Sequence, residues 1–199
     1  MRHFHLLAEG VNVAPLLDAV VRQKELWNQY TLRTTHPHSP HTQVDDIWLR
    51  FNDLTPYLKH KEGVEAGGGE YDMNAVAGVL DEHESICYPA WFKLPGAQQI
   101  IFDLMRRVEG VRLGRVLITR LAPGNVIAPH VDGGSHAEYY ERYHVLLKNR
   151  PGSIFRCGVE KLYMKPGEVW WFDNGVEHEV YNHSDDDRIT MIVDIRSVK

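Results

Sequence analysis

Residues 121–132 read LAPGNVIAPHVD, and this stretch shows the pattern that decides the fold. One apolar strand is predicted to end at Leu121 and a second to begin at Val126, with a Pro-Gly-Asn turn between them. Turn residues between short apolar strands are typical of a compact antiparallel β unit. The second strand closes on His130 and Asp132, which are polar residues at the end of an otherwise apolar run.

The same alternation of short strands and turns continues through the rest of the chain. Short strands spaced about 8–12 residues apart are typical of a sandwich, a jelly roll or a barrel. We therefore predict a mainly β fold with flanking helices. The predicted strands cover residues 113–121, 126–132, 142–148, 153–157, 160–164, 167–173, 177–183 and 188–196.

The first 110 residues have a mixed pattern. Apolar side chains at helical spacing predict two amphipathic helices, while β-rich and turn-rich segments predict one strand and two irregular loops. These are helices at 13–29 and 95–109, a strand at 47–51, and loops at Thr34–Thr42 and Lys59–Glu70. We expect one domain over residues 1–199, in which residues 1–110 line the substrate side and residues 111–199 form the β core.

Composition excludes several classes of protein. The chain has 199 residues, 43% of them hydrophobic, and a net charge of −5, which argues against disorder and against general binding to nucleic acid. No apolar run reaches the roughly 18 residues of a membrane span. No secretory leader is recognised, and the two cysteines show no CxxC spacing. A cytoplasmic protein with no nucleic-acid or membrane partner is predicted.

A candidate metal site begins at the end of the second strand. Residues two apart on a strand point to the same face, so His130 and Asp132 are able to share one ion. His178, which starts a strand after the Asn174-Gly175 turn, is the candidate for a third ligand. Two histidines and one carboxylate with open positions hold non-heme Fe(II) for oxygen chemistry.

The His-x-acid spacing carries little weight on its own, because it occurs four times in the chain. The matches at His60, His136 and His183 fall in charged or polar segments that we expect to be exposed. Only His130 ends an apolar strand, and the glycines that follow at 133–134 let a small substrate approach the backbone.

Two arginines stand in segments that are expected to be buried. Arg188 begins a very apolar strand, and a buried guanidinium needs a partner such as a carboxylate. An ion pair with one of residues 185–187, or exposure at the strand end, is the alternative. Arg142 and His144 share one face of their strand, which is either an anion site or a solvent-exposed face.

Five stretches together resemble the aspartyl/asparaginyl β-hydroxylase family. They are LAPGNVIAPHVD at 121–132, RYH at 142–144, PGEVWWFDN at 166–174, HEVYN at 178–182 and RITMIVD at 188–194. The resemblance covers residues 113–196 and extends to bacterial enzymes similar to proline cis-4-hydroxylase. It implies a double-stranded β-helix, which is a cupin-like jelly roll, and an oxidoreductase that uses Fe(II), 2-oxoglutarate and O₂.

The resemblance also implies the roles of individual residues. His130, Asp132 and His178 would bind the iron and form the catalytic centre. The cosubstrate 2-oxoglutarate would be bound by side chains on the neighbouring strands, with Arg188 on its distal carboxylate. The other positions that match cosubstrate contacts are Arg142, His144 and Thr119.

The resulting hypothesis is a dioxygenase that hydroxylates an unactivated C–H bond and releases succinate and CO₂. The substrate is expected to be of the amino-acid type, either an Asp, Asn or other side chain in a protein or peptide, or a free amino acid. Two alternatives stay open at this point. One is a cupin-like metalloenzyme that does not use 2-oxoglutarate, and the other is a non-catalytic binding module on the same scaffold.

Overall fold

A computed structural model of the chain describes residues 1–35, 38–67, 81 and 83–198. Within these residues the chain forms eleven strands and six α-helices, with a 3₁₀ turn at Lys24–Leu26. The strands are β1 (Phe4–Ala8), β2 (Val44–Phe51), β3 (Ile86–Cys87), β4 (Gly110–Leu121), β5 (Val126–His130), β6 (Glu141–Lys148), β7 (Ser153–Cys157), β8 (Glu160–Leu162), β9 (Val169–Phe172), β10 (His178–Asn182) and β11 (Arg188–Ser197). The helices are α1 (Ala14–Arg22), α2 (Leu32–Thr35), α3 (Thr55–Ala66), α4 (Pro89–Lys93), α5 (Pro95–Arg107) and α6 (Ser135–Tyr139).

The strands form two antiparallel sheets that pack face to face. The large sheet has the order β1-β9-β6-β11-β4-β2-β3, and the small sheet has the order β5-β10-β7-β8. Apolar side chains from both sheets fill the space between them, among them Leu121 and Leu146 of the large sheet and Phe155 and Val180 of the small one. The predicted fold class, a mainly β double-stranded β-helix with flanking helices, is confirmed.

Helices cover the other face of the large sheet. Alternate residues of β6 and β11, such as Val145 and Met191, point outward and are fully buried beneath α1, α4 and α5. The large sheet is therefore buried on both faces. Its outer face packs against the helices, and its inner face packs against the small sheet. No helix in the described part of the chain is long and apolar enough to cross a membrane.

Most predicted elements lie where the sequence pattern placed them. All eight strands predicted after residue 111 are present, and the strand predicted at 47–51 lies within β2. The helix predicted at 95–109 is α5. The helix predicted at 13–29 is shorter, because α1 ends at Arg22 and only the 3₁₀ turn follows.

Six elements were not predicted, namely α2, α3, α4, α6, β1 and β3. The loop predicted at Lys59–Glu70 is wrong for its first part, since α3 extends to Ala66; residues 68–70 lie outside the described residues. The sequence of α3 has only a weak apolar stripe and contains Gly63, so it does not show a clear helical periodicity. Strand β1 buries only Phe4 fully and thus lacks the alternation of a strand. Strand β3 has two residues.

Candidate active site

The three predicted metal ligands lie side by side at one edge of the small sheet. β5 ends at His130 and β10 begins at His178, and the antiparallel register places these two residues directly opposite each other. Asp132 follows β5, where its backbone N–H donates to the carbonyl of Asn174 at 3.0 Å. One ligand atom from each of the three side chains lies within 4.8 Å of the other two.

Backbone hydrogen bonds orient both imidazole rings of the triad. Nδ1 of His130 lies 2.8 Å from the carbonyl oxygen of Ala128, and Nδ1 of His178 lies 2.9 Å from that of Val176. A carbonyl oxygen only accepts, so each Nδ1 donates, and the lone pair of the neutral ring is on Nε2. Each Nε2 faces Asp132, at 3.6 Å from Oδ1 for His130 and 3.9 Å from Oδ2 for His178.

The donor set fits a ferrous ion. Burial lowers the pKa of His178 to about 4, and this effect exceeds the opposing attraction of Asp132, so the ring is neutral at physiological pH. Metal-binding histidines have this arrangement, with one nitrogen bound to a carbonyl and the other presented to the ion. Two imidazole nitrogens and one carboxylate are the ligands typical of non-heme Fe(II) sites.

Arg142 contacts the metal-site carboxylate rather than open space. Its Nη1 donates to Oδ2 of Asp132 at 2.5 Å, while Nε and Nη2 donate to the two oxygens of Asp194 at 2.8 and 2.9 Å. Both carboxylates raise the pKa of Arg142 against the opposing effect of burial. The contacts observed for Arg142 are thus to protein carboxylates, and its predicted contact with the cosubstrate stays a prediction.

Arg188 is a buried cation for which the described residues provide no carboxylate. The residue is 3% exposed, the guanidinium lies over the ring of Phe155 at 6.0 Å, and its hydrogen-bond partner among the described residues is the sulfur of Met164 at 4.0 Å. The alternative ion pair of Arg188 with one of the described residues 185–187 is not formed, and the carboxylate of Asp186 binds Lys148 and Arg150 instead. Burial lowers the pKa of Arg188 to about 10, which leaves it charged.

His144 and Thr119 lie on the same inner face of the large sheet as Arg188. His144 is buried, and its Nδ1 has no hydrogen-bond partner in the described part of the chain. Thr119 is opposite Thr190 in the register of β4 and β11, and its hydroxyl donates to the Thr190 carbonyl at 3.4 Å. A buried guanidinium and an unsatisfied imidazole nitrogen fit a ligand that brings a carboxylate between the sheets.

A cavity of about 230 Å³ opens between the sheets beside the triad. It is lined by the triad, by Arg142 and His144, and by apolar side chains of both sheets, whereas Arg188 and Thr119 lie beyond its lining. The first 110 residues contribute Arg33, His41 and Phe51 to this lining. Their helices α1, α4 and α5 pack on the opposite face of the large sheet.

Sequence reasoning missed two histidines of this cavity. His136 was expected in an exposed loop; it lies in α6, is 5% exposed and binds Asp194, so that expectation is wrong. The ring centroid of His41 lies 5.0 Å from that of His130. Its segment runs beside β5, where the amide of Ala128 donates to the Pro40 carbonyl. No local pattern marks either contact.

The triad lies in the part of the chain that matches a known family. The aspartyl/asparaginyl beta-hydroxylase family matches residues 77–197, which is more than half of the chain. The chain belongs to this family. It is accordingly a hydroxylase of the dioxygenase class, as the resemblance of residues 113–196 implied.

Two solved structures resemble this hydroxylase over nearly their whole length. An oxidoreductase of the 2OG-Fe(II) oxygenase family from Burkholderia pseudomallei is 13% identical, with a TM-score of 0.51 and 95% of each chain covered. A prolyl-4-hydroxylase from Pseudomonas putida is 12% identical, with a TM-score of 0.51, 99% of this chain covered and 94% of that one. At such identities the likeness concerns the fold. A comparison with curated protein sequences returned no match.

Proposed function

We propose that this protein is a dioxygenase that binds Fe(II) through His130, Asp132 and His178 and uses 2-oxoglutarate to hydroxylate an amino-acid-type substrate. The observation that carries the proposal is the convergence of the triad beside a cavity, with the charge of Arg188 buried nearby. Iron, 2-oxoglutarate and O₂ would together supply the oxidising chemistry, in which succinate and CO₂ are released and an unactivated C–H bond is hydroxylated.

The side chains of the inner face would hold the cosubstrate. Arg188 would pair with its distal carboxylate, because a charge-assisted hydrogen bond satisfies a guanidinium that is otherwise buried without a counter-charge. His144 would donate to or accept from the cosubstrate through its unsatisfied Nδ1. Thr119, whose hydroxyl is buried on the same face, would add a weaker contact near the distal carboxylate, and Arg142 would contribute charge.

The walls of the cavity would exclude water from the reaction. Phe155, Phe172 and Val180 form an apolar lining next to His178. Burial among these side chains strengthens the electrostatic interactions of the site and protects reactive species from side reactions. The protein's contribution is thus to fix the geometry and keep the site dry, while the cosubstrate and metal carry the reaction.

The substrate would enter from the side of the cavity formed by the N-terminal part. Phe51, Leu117 and Ile192 provide an apolar surface there, and Arg115 provides positive charge, whereas Arg33 of the same lining is paired with Asp46. A surface of this kind suits an amino acid, either free or within a peptide or protein. Asp and Asn side chains are the first candidates, since they give the family its name.

Cosubstrate binding tests the proposal without requiring a known substrate. Under anaerobic conditions, we expect the protein with Fe(II) and 2-oxoglutarate to develop the weak visible absorption of the metal–cosubstrate chelate. Arg188→Ala is expected to abolish this band at the same 2-oxoglutarate concentration. Arg150→Ala removes an arginine from the surface, where it binds Asp186, and is expected to leave the band unchanged.

The outcomes separate the rival classes. A cupin-like enzyme that does not use 2-oxoglutarate would show no band in the wild type, and a band that persists in Arg188→Ala would contradict the role of Arg188. A screen of free amino acids and peptides for succinate release, followed by mass detection of a product that is heavier by one oxygen atom, then identifies the substrate. A non-catalytic module would release no succinate with any of them.

A further inference from the structure

Asp194 is a buried carboxylate next to the metal site that is neither a ligand nor part of the cavity lining. It lies in β11 and is 1% exposed, whereas its neighbours Val193 and Ile195 point to the opposite, helix-covered face. A carboxylate buried this deeply needs several hydrogen bonds or a counter-charge. Asp194 has both.

Two elements supply the partners of Asp194. From the neighbouring strand β6, Arg142 donates two parallel hydrogen bonds, and the register of β6 and β11 places the two residues directly opposite each other. From α6, Nε2 of His136 lies 3.0 Å from Oδ2. Burial by itself would raise the pKa of Asp194, but the opposing effect of Arg142 and His136 is larger. The net pKa is therefore lowered, and the carboxylate is ionised.

These contacts hold the segment around Asp132 at two points. Arg142 reaches the carboxylate of Asp132 itself, and His136 is fixed four residues later, after Gly133 and Gly134. Glycines allow a wide range of backbone conformations, so the segment needs fixed points on either side to hold one position. Asp194 supplies the anchor for both points.

The geometry of Arg142 determines which oxygen of Asp132 it covers. Because Asp194 occupies Nε and Nη2, only Nη1 is directed at Asp132, and it binds Oδ2. The other oxygen, Oδ1, lies on the side of His130, 3.6 Å from Nε2. An arginine without this restraint would be able to take both oxygens in a bidentate pair and compete with a metal ion for them.

We propose that Asp194 is a positioning residue of the metal site, which orients Arg142 and the segment after Asp132 so that the carboxylate of Asp132 is presented to the ion. The inference rests on the proposed function, since it assumes a metal at the triad. Residues that orient metal ligands typically change metal affinity about 10–100-fold when they are replaced.

Cobalt(II) titration of the metal-free protein tests this inference, with the visible absorption of bound Co(II) as the readout. We expect Asp194→Asn to bind Co(II) about 10–100-fold more weakly than the wild type and to show an altered spectrum at saturation. Asp45→Asn is the matched control. Asp45 also accepts two hydrogen bonds from an arginine, but its partner is Arg120, which lies outside the lining of the cavity, so Co(II) affinity is expected to stay at the wild-type value.

The two proposals fail in different ways. If the wild type does not bind Co(II), or if Asp132→Ala binds it equally well, the metal site itself is wrong. If the wild type binds Co(II) and folded Asp194→Asn shows the same affinity and spectrum, the role of Asp194 is wrong. Near-UV circular dichroism verifies folding.

A second variant covers the case in which Asp194→Asn does not fold. Arg142→Lys keeps the positive charge but loses the planar group that binds two carboxylates at once. The inference expects weaker Co(II) binding and a changed spectrum in this variant too. Wild-type affinity and spectrum in folded Arg142→Lys would overturn it.

Discussion

Burial determines the protonation state of His144. The side chain is 6% exposed and packs against the rings of Phe155 and Phe172. Burial first, and then the charges of Arg188 and Arg142, lower its pKa well below the ordinary value of 6.5. The folded protein therefore keeps this imidazole neutral under conditions in which the unfolded chain binds a proton.

This difference makes stability depend on pH. Because the folded pKa is depressed, the contribution of His144 is fully present above the unfolded value and is lost as the pH falls below it. We expect the free energy of unfolding of the metal-free protein to fall between pH 6 and pH 5. His144→Gln is expected to reduce that slope by up to about 1.4 kcal/mol per pH unit.

Urea unfolding over this pH range measures the effect. At pH 8 the imidazole of His144 is unprotonated in both the folded and the unfolded wild type. The difference in the free energy of unfolding between wild type and His144→Gln at that pH therefore gives the part of the effect that does not depend on pH. Equal slopes for wild type and His144→Gln below pH 6 would show that the imidazole is not held neutral by the fold.

Among the elements, the Pro166-Gly167 turn before β9 shows why turn chemistry was a reliable predictor. Gly167 has a φ of +80°, donates its N–H to the Leu146 carbonyl at 2.8 Å and accepts from the Val11 N–H at 3.0 Å. A Cβ at this position would meet the carbonyl oxygen of Val11 at 2.9 Å. Glycine is therefore required at position 167 for two reasons, namely its positive φ and the close approach of the Val11 carbonyl.

Comparison with a second glycine separates these two requirements. Gly124 has nearly the same φ, +79°, but open space where its Cβ would lie. We expect Gly124→Ala to lower the free energy of unfolding by about 1–2 kcal/mol through backbone strain alone. Gly167→Ala is expected to lower it by about 1–3 kcal/mol more, because the Val11 segment must move. Chemical denaturation of both variants measures the difference, and equal losses would contradict the close contact.

Helices and edge strands were less accessible to prediction than turns. The Lys59–Glu70 loop was inferred from its three glycines, yet α3 covers its first part. Strand β1 joins the sheet through backbone pairing with β9, although only Phe4 is fully buried. For β1, tertiary contacts outweigh a weak local pattern.

For the molecule as a whole, we propose that residues 1–199 fold as a single domain. Strands from the first 110 residues pair with the β core on both sides, β1 with β9 and β2 with β4. The helices of the same region bury the outer face of the large sheet. Without them, a β core of residues 111–199 would expose a hydrophobic face and two unpaired edges.

A fragment of residues 111–199 is therefore expected not to fold. Circular dichroism and urea titration should show no cooperative transition, or the fragment should aggregate, while the full chain unfolds cooperatively under the same conditions. A soluble fragment with a cooperative transition would mean that the N-terminal part is a separable unit.

Local pattern was sufficient for the strands after residue 111, because turn residues and two-residue alternation act over a few neighbours in the chain. It offered His130, Asp132 and His178 only as candidate ligands, and the resemblance implied them as one set. The sequence pattern marked Arg188 as a cation at the start of an apolar strand, and the resemblance added the role toward the distal carboxylate of 2-oxoglutarate that we propose for it. The contacts of Arg142, His136 and His41 depend instead on strand order and register, which join positions such as 142 and 194 that are far apart in sequence. Packing of two sheets, rather than any short stretch of residues, brings these side chains to one cavity.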